Sequence, residues 1–126
     1  MKKTERINKN NENPSSEQLN KLLNFYESRR YEKAEKLAIS ITQIFPNHHF
    51  GWKVLGAILD QTGRKLEALN INQKVVKLSP KDPEAYNNLG ITLKKLFRLE
   101  EAKTSYQHAI VLKPDYIDAH YNLAII

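Results

Sequence analysis

No cysteine occurs in the 126 residues, so neither a disulfide nor a thiolate metal site can contribute to the fold. No apolar run approaches the ~20 residues a membrane-crossing helix needs. The amino-terminal lysines are followed by no apolar stretch of the kind a secretory signal carries. No membrane partner is therefore expected, and the cytoplasm is the expected setting. Also missing are a glycine-rich phosphate loop, a nucleophile elbow and a His-Glu-x-x-His pattern. The four histidines supply no metal site: His48 and His49 are loop neighbours that do not converge on one ion. His108 falls on an outer helix face and His120 in a packing slot. Glu100 and Glu101 open a helix, where acids favour the dipole. No catalytic, metal or cofactor site is expected, and the chain alone is not expected to be an enzyme.

Charge of one sign is not concentrated either. The net charge is +6, with acids interleaved among the bases throughout. The middle of the chain is the most basic, through Lys53, Arg64, Lys65, Lys74, Lys77 and Lys81, but these scatter over helices and loops and form no stripe. Specific nucleic-acid recognition is not expected. Residues 1–14, with Lys2, Lys3, Arg6 and Lys9 against Glu5 and Glu12, read as a disordered basic tail. Over the full sequence 40% hydrophobic and 27% charged residues suit a packed helical chain.

What is present is a repeat. The stretch 83–116 lands without a gap on 49–82 when moved back 34 residues, and on 15–48 when moved back again; 117–126 begins a fourth copy. A fixed period of this length marks a solenoid, in which each unit buries its apolar face only against its neighbours. Ala34, Ala68 and Ala102 share one slot, and Gly56, Gly90 and Ala124 another, where small side chains let two antiparallel helices approach. Trp52, Tyr86 and His120 share an aromatic-type slot, followed by Leu55, Leu89 and Leu123, and then by Phe25, Leu59 and Leu93. Pro46, Pro80 and Pro114 close the second helices, because proline has no N–H to donate and restricts the residue before it.

The spacing predicts helices over about 15–28, 31–44, 50–61, 65–78, 83–96 and 99–112, with a partial one from 117. Ser15 and Gln18 fit a capping box, and Asp82-Pro83-Glu84 an N-cap with proline in the first turn. Gly63 sits at an inter-helix turn that suits a left-handed residue, and Arg29 and Phe97 take the same position in the other copies. Gln18, Lys21 and Leu22 depart from the repeat's pattern, so 15–48 reads as an amino-terminal capping repeat. At the other end Ile125 and Ile126 follow an incomplete helix with no polar helix to cover it. The chain is therefore expected to be a piece of a longer protein, its apolar end packing on further repeats or self-associating.

The Trp52-x-x-Leu55-Gly56 run with Ala68 and Pro80, and the Tyr86-x-x-Leu89-Gly90 run with Ala102, Tyr106, Ala109 and Pro114, resemble the tetratricopeptide repeat (TPR) family. The resemblance covers 15–126. It implies an all-α, right-handed solenoid of antiparallel helix pairs, three full repeats plus a partial fourth. Such a solenoid would act as a protein–protein interaction scaffold and hold a peptide or protein segment on the concave face lined by the first helices.

On that face the position before each packing leucine carries Asn20, Val54, Asn88 and Asn122. An asparagine amide both donates and accepts, so a row of them can hold a peptide backbone without reading its sequence. This is similar to the asparagine ladder on the inner face of O-linked N-acetylglucosamine transferases, with Val54 interrupting the row. The bland alternative, asparagine as a common exposed residue in an Asn- and Lys-rich chain, stays open here. If the ladder holds, the amides of Asn88 and Asn122 point into the groove, unpaired within the domain. The expected groove residues are Asn20, Lys53, Asn87, Asn88, Ile91, Tyr121 and Asn122. A carboxylate clamp of the chaperone-binding type matches poorly, since Leu19 and Glu84 stand where bases are needed, although Lys53 and Asn88 partly fit. The resemblance also admits a second setting, the substrate-recruiting segment of a larger glycosyltransferase of the O-GlcNAc transferase type or of a sulfotransferase.

Overall fold

The computed structural model describes residues 13–126. The basic tail expected over 1–14 lies outside the described residues except for Asn13 and Pro14, and Pro14 is buried. Among the described residues there are seven helices and no strand: α1 Ser16–Glu27, α2 Tyr31–Ile44, α3 His49–Gln61, α4 Lys65–Leu78, α5 Pro83–Lys95, α6 Leu99–Leu112 and α7 Ile117–Ala124. No helix among them is long and apolar enough to cross a membrane. Each helix packs on the next, and the first helices α1, α3, α5 and α7 also touch in sequence, so they form one layer and the second helices the other.

Local chemistry sets the boundaries. Ser15 and Gln18 close the capping box on α1, and the Asp82 carboxylate accepts the Glu84 N–H ahead of Pro83 on α5. The second helices span the expected residues. All three intra-repeat turns have the same Schellman form: Arg30, Arg64 and Arg98 N–H groups reach back to the carbonyls of Phe25, Leu59 and Leu93. The turn residue before each is left-handed, with φ of 61° at Arg29, 81° at Gly63 and 60° at Phe97. Glycine takes this conformation freely, whereas a side chain there costs about 1–2 kcal/mol.

Packing at the helix crossings explains the recurring small residues. A methyl placed on Gly56 would lie 2.2 Å from Asn72 Oδ1, and one on Gly90 would lie 2.5 Å from the Tyr106 ring. In the first repeat the sizes are exchanged: Leu22 occupies the glycine slot and Ala38 the Asn72/Tyr106 slot, and both are fully buried. What the sequence shows as a departure is a volume-conserving swap across one crossing. The core contains Ala34, Ala68, Ala102, Leu55, Leu89 and Leu93, as the repeat phase requires.

The aromatic slot differs from expectation at its last copy. Trp52 Nε1 donates to the Pro46 carbonyl at 2.9 Å, and His120 Nε2 lies 2.7 Å from the Pro114 carbonyl. His120 makes the same tether but is exposed instead of filling a core position; among the described residues α7 packs mainly on α5 and α6. Tyr86 instead stacks on His108, with centroids 4.0 Å apart, as Lys74 sits over Trp52 one repeat earlier.

Candidate functional site

A hollow of about 230 Å³ opens on the layer of first helices. Tyr26 comes from α1, Ala57, Asp60 and Gln61 from α3, and Asn88, Ile91, Thr92 and Lys95 from α5, with Asn72 of α4 at the floor. One hollow is thus shared by three successive first helices. A second hollow, about 330 Å³, continues from it past Ile91 and Lys95 to Lys94, Phe97, Tyr106 and Asn122. Together they form a groove across α1, α3, α5 and α7.

The first hollow is built on a polar network. Lys95 Nζ donates to Asp60 Oδ2 at 2.7 Å, Thr92 Oγ1 to Asp60 Oδ1 at 3.4 Å, and Asn72 Nδ2 to Thr92 Oγ1 at 3.0 Å. The Asp60 side chain is only 11% exposed, so its charge needs these partners. The effect reaches Tyr106: burial pushes its phenol up to about 12, and the Asp60 carboxylate adds to the shift. Burial likewise raises Tyr26, whose side chain sits beside Gln61 at the groove's other end.

The groove gathers Asn88, Ile91 and Asn122 of the residues expected from sequence. Asn88 and Asn122 are half-buried, one repeat apart, on adjacent first helices. The expectation that both amides are unpaired is corrected at Asn122, whose Nδ2 donates to Asn87 Oδ1 at 3.0 Å. Asn87 itself is buried: the next position along a helix turns by about 100°, which carries it off the groove and into the junction with α7. Asn20 is exposed on α1 and Tyr121 is 64% exposed on α7; neither lines these two hollows.

Lys53 is drawn into the inter-repeat junction. Its ammonium lies 2.8 Å from Asp82 and 2.7 Å from Glu84, with the side chain 15% exposed. Lys53 and Asn87 occupy one slot, and both are spent on tying a repeat to the next. Burial alone pulls the Lys53 ammonium down, but its hydrogen bonds to Asp82 and Glu84 outweigh that and the net shift is upward. Lys53→Ala, which leaves Asp82 at the α5 cap without its cation, is expected to cost roughly 1–3 kcal/mol in urea unfolding. With its value raised in the folded state, Lys53 contributes this stability fully below about pH 10.4, the ordinary lysine value. The contribution is lost as pH rises through the folded value, so the difference between the two proteins should narrow only at strongly alkaline pH.

Asp60, Thr92, Asn72 and Lys95 were not singled out from sequence. The available signal was a polar Asn72 in the slot that holds Tyr106 one repeat on, and an acid, Asp60, where the next copy has Lys94. Among the described residues no group of three or more His, Asp or Glu side chains could hold a metal ion.

Comparison with known proteins agrees with this architecture. The chain matches a family described as tetratricopeptide repeat over residues 72–104, and one described as TPR repeat over 98–126. The peroxisomal targeting signal receptor of Kluyveromyces lactis is 30% identical over 90 residues, 71% of this chain and 15% of the receptor. Among solved structures, the first TPR of Spaghetti (RPAP3), bound to an HSP90 peptide, superposes with a TM-score of 0.82 at 19% identity, covering 86% of each chain. An O-GlcNAc transferase mutant of Thermobaculum terrenum superposes at 0.78 with 27% identity, over 87% of this chain and 22% of that one. The chain thus spans a small part of the length of the receptor and the transferase.

Proposed function

The chain is an array of tetratricopeptide repeats, and we propose that it is an interaction module holding an extended peptide or protein segment in the groove across α1, α3, α5 and α7. The observation that carries this reading is the pair of contiguous hollows lined from successive first helices, with Asn88 and Asn122 one repeat apart along them. An extended segment presents backbone donors and acceptors along its whole length, and amide side chains match both. Asn122, although it donates to Asn87, keeps its carbonyl oxygen for a backbone N–H. The likeness to a receptor for a targeting signal supports the same reading. On this reading the module's work is binding, in a cytoplasmic setting.

A second setting for the same module is favoured by the likeness to the O-GlcNAc transferase, of which the chain matches 22%. There the groove would recruit a substrate segment for a catalytic domain elsewhere in the protein, as a sulfotransferase could also use it.

The test is a titration of a peptide selected on the chain from a displayed library. Each lost backbone hydrogen bond is worth about 0.5–1.5 kcal/mol. Asn88→Ala is therefore expected to weaken the peptide roughly 2- to 12-fold, with unfolding unchanged. Lys103→Ala on the exposed face of α6 should leave affinity alone. Equal affinity in all three proteins would remove the groove from the account.

A further inference from the structure

The two hollows are the same place one repeat apart. A step of 34 residues carries Ala57 onto Ile91, Asp60 onto Lys94, Asn72 onto Tyr106 and Asn88 onto Asn122. The asparagine is kept, and nearly everything around it changes. In the first hollow the Asp60 carboxylate is neutralised by Lys95 and accepts from Thr92, and the amides of Gln61, Asn72 and Asn88 line it beside Ala57 and Ile91. In the second the acid has become a lysine, the floor is the Tyr106 ring, and Ile91 replaces the smaller Ala57.

Phe97 completes the second hollow, and its presence is costly twice over. It is 87% exposed, leaving an aromatic ring in water, and it holds the left-handed turn position that Gly63 fills without strain one repeat earlier. Neither cost brings packing within the domain. Lys94 has a similar surplus: its ammonium donates to the Ile125 carbonyl at 3.3 Å and, among the described residues, pairs with no carboxylate, whereas Lys95 next to it is paired with Asp60. An apolar pocket with an exposed aromatic wall and a cation without a carboxylate partner is complementary to one kind of occupant.

We propose that this second hollow is a specificity subsite, taking a large apolar side chain next to an acidic side chain from an internal stretch of the bound segment. Phe97 and Ile91 clasp the apolar group over Tyr106, and Lys94 receives the acid. Lys95 also lines this hollow but is paired with Asp60, which leaves Lys94 as the uncommitted cation. One such cation suits a single side-chain carboxylate, whereas a chain terminus would call for several convergent free donors. The neutral first hollow meets a polar part of the same segment. Packed helices lie about 8–10 Å apart and an extended chain advances about 3.3 Å per residue, so the two parts are roughly three residues apart. The proposal rests on the groove being a peptide site.

The test uses ten-residue random segments displayed inside a carrier loop, with no free carboxyl terminus, selected on the full chain. The winners are then titrated as acetylated, amidated peptides. The expected winners carry a large apolar residue within two positions of Asp or Glu. Phe97→Gly is expected to weaken them about tenfold, the loss typical of an interface aromatic. Its thermal midpoint should equal or exceed that of the unaltered protein, because glycine relieves the positive φ. Lys94→Gln should weaken them up to about fivefold, and that loss should vanish when the peptide's acid is replaced by its amide. If Asn88→Ala weakens the peptides but Phe97→Gly and Lys94→Gln do not, the groove stands and the subsite is wrong. Winners without the acidic–apolar pairing overturn the subsite as well, as does selection of segments only from a second library that ends in a free carboxyl terminus. If no segment is selected, or none of the three variants matters, the groove reading fails and takes the subsite with it.

Discussion

Tyr106→Ala is expected to destabilise the chain by about 3–5 kcal/mol in urea or thermal unfolding, the range for removing a buried aromatic ring. The ring is 1% exposed and lies over Gly90, so the space it leaves is bounded by two helix backbones that cannot collapse freely. Gly90 makes the prediction sharper. A methyl there would meet the ring at 2.5 and 2.6 Å, and a rigid ring has no flexible end to move aside. Gly90→Ala alone should therefore cost about 1–3 kcal/mol from overpacking, partly offset by alanine's better helix propensity. In the Tyr106→Ala background the clash is gone, and the same Gly90→Ala change should stabilise by about 1 kcal/mol. A change of sign between the two backgrounds is the signature of direct contact. The phenol adds a pH dependence. With its value raised to about 12 in the folded state, the protein keeps the full contribution of neutral Tyr106 up to the unfolded tyrosine range near 10. It loses that contribution as pH climbs toward 12, and the Tyr106→Ala protein should lack this alkaline loss.

Leu89→Ala is expected to cost about 2–5 kcal/mol and to loosen more than its own repeat. Leu89 is buried in a cluster with Leu69 of α4, Leu93 of α5, and Ala102 and Tyr106 of α6, with Leu123 of α7 packed against it. It therefore belongs to the junctions on both sides. In a short solenoid, stability is a sum of repeat and interface contributions, and weakening a central unit uncouples its neighbours. Hydrogen exchange should show protection falling in α3, α4 and α7 as well as in α5 and α6. Loss confined to α5 and α6 would contradict the coupling. Lys103→Ala, on an exposed face of α6, should stay within about 0.5 kcal/mol.

Much of this architecture was legible because its causes are local and periodic. The second helices could be bounded to the residue, since an alanine fixes the phase of each and a proline two residues beyond its end stops it. The left-handed conformations of Arg29 and Phe97 could be read from Gly63, which occupies their slot and states openly what the turn requires. The Leu22 and Ala38 exchange was visible as an oddity at Leu22 alone. Its compensation lies sixteen positions away on another helix and emerges only when the crossing is built.

The groove was legible in part. Asn88, Ile91 and Asn122 follow from the helix face, but the boundary between groove and junction is drawn by how successive repeats lean on one another. That angle is a tertiary property. It sends Asn87 inward to meet Asn122, and Lys53 toward Asp82 and Glu84, although both read as surface positions on a single helix. The same leaning creates the Asp60 network: Asp60 meets Thr92 and Lys95, 32 and 35 residues further on, across the interface between α3 and α5.

The central claim, that the layer of first helices binds an extended segment, is tested most directly by amide chemical-shift mapping of the chain with a library-selected peptide. The account predicts that the shifts concentrate at Ala57, Asn88, Ile91, Lys95 and Asn122, on three first helices at once. Shifts concentrated instead on the outer helices around Lys103 and Gln107, or on the exposed apolar end at Ile117 and Ile126, would contradict it.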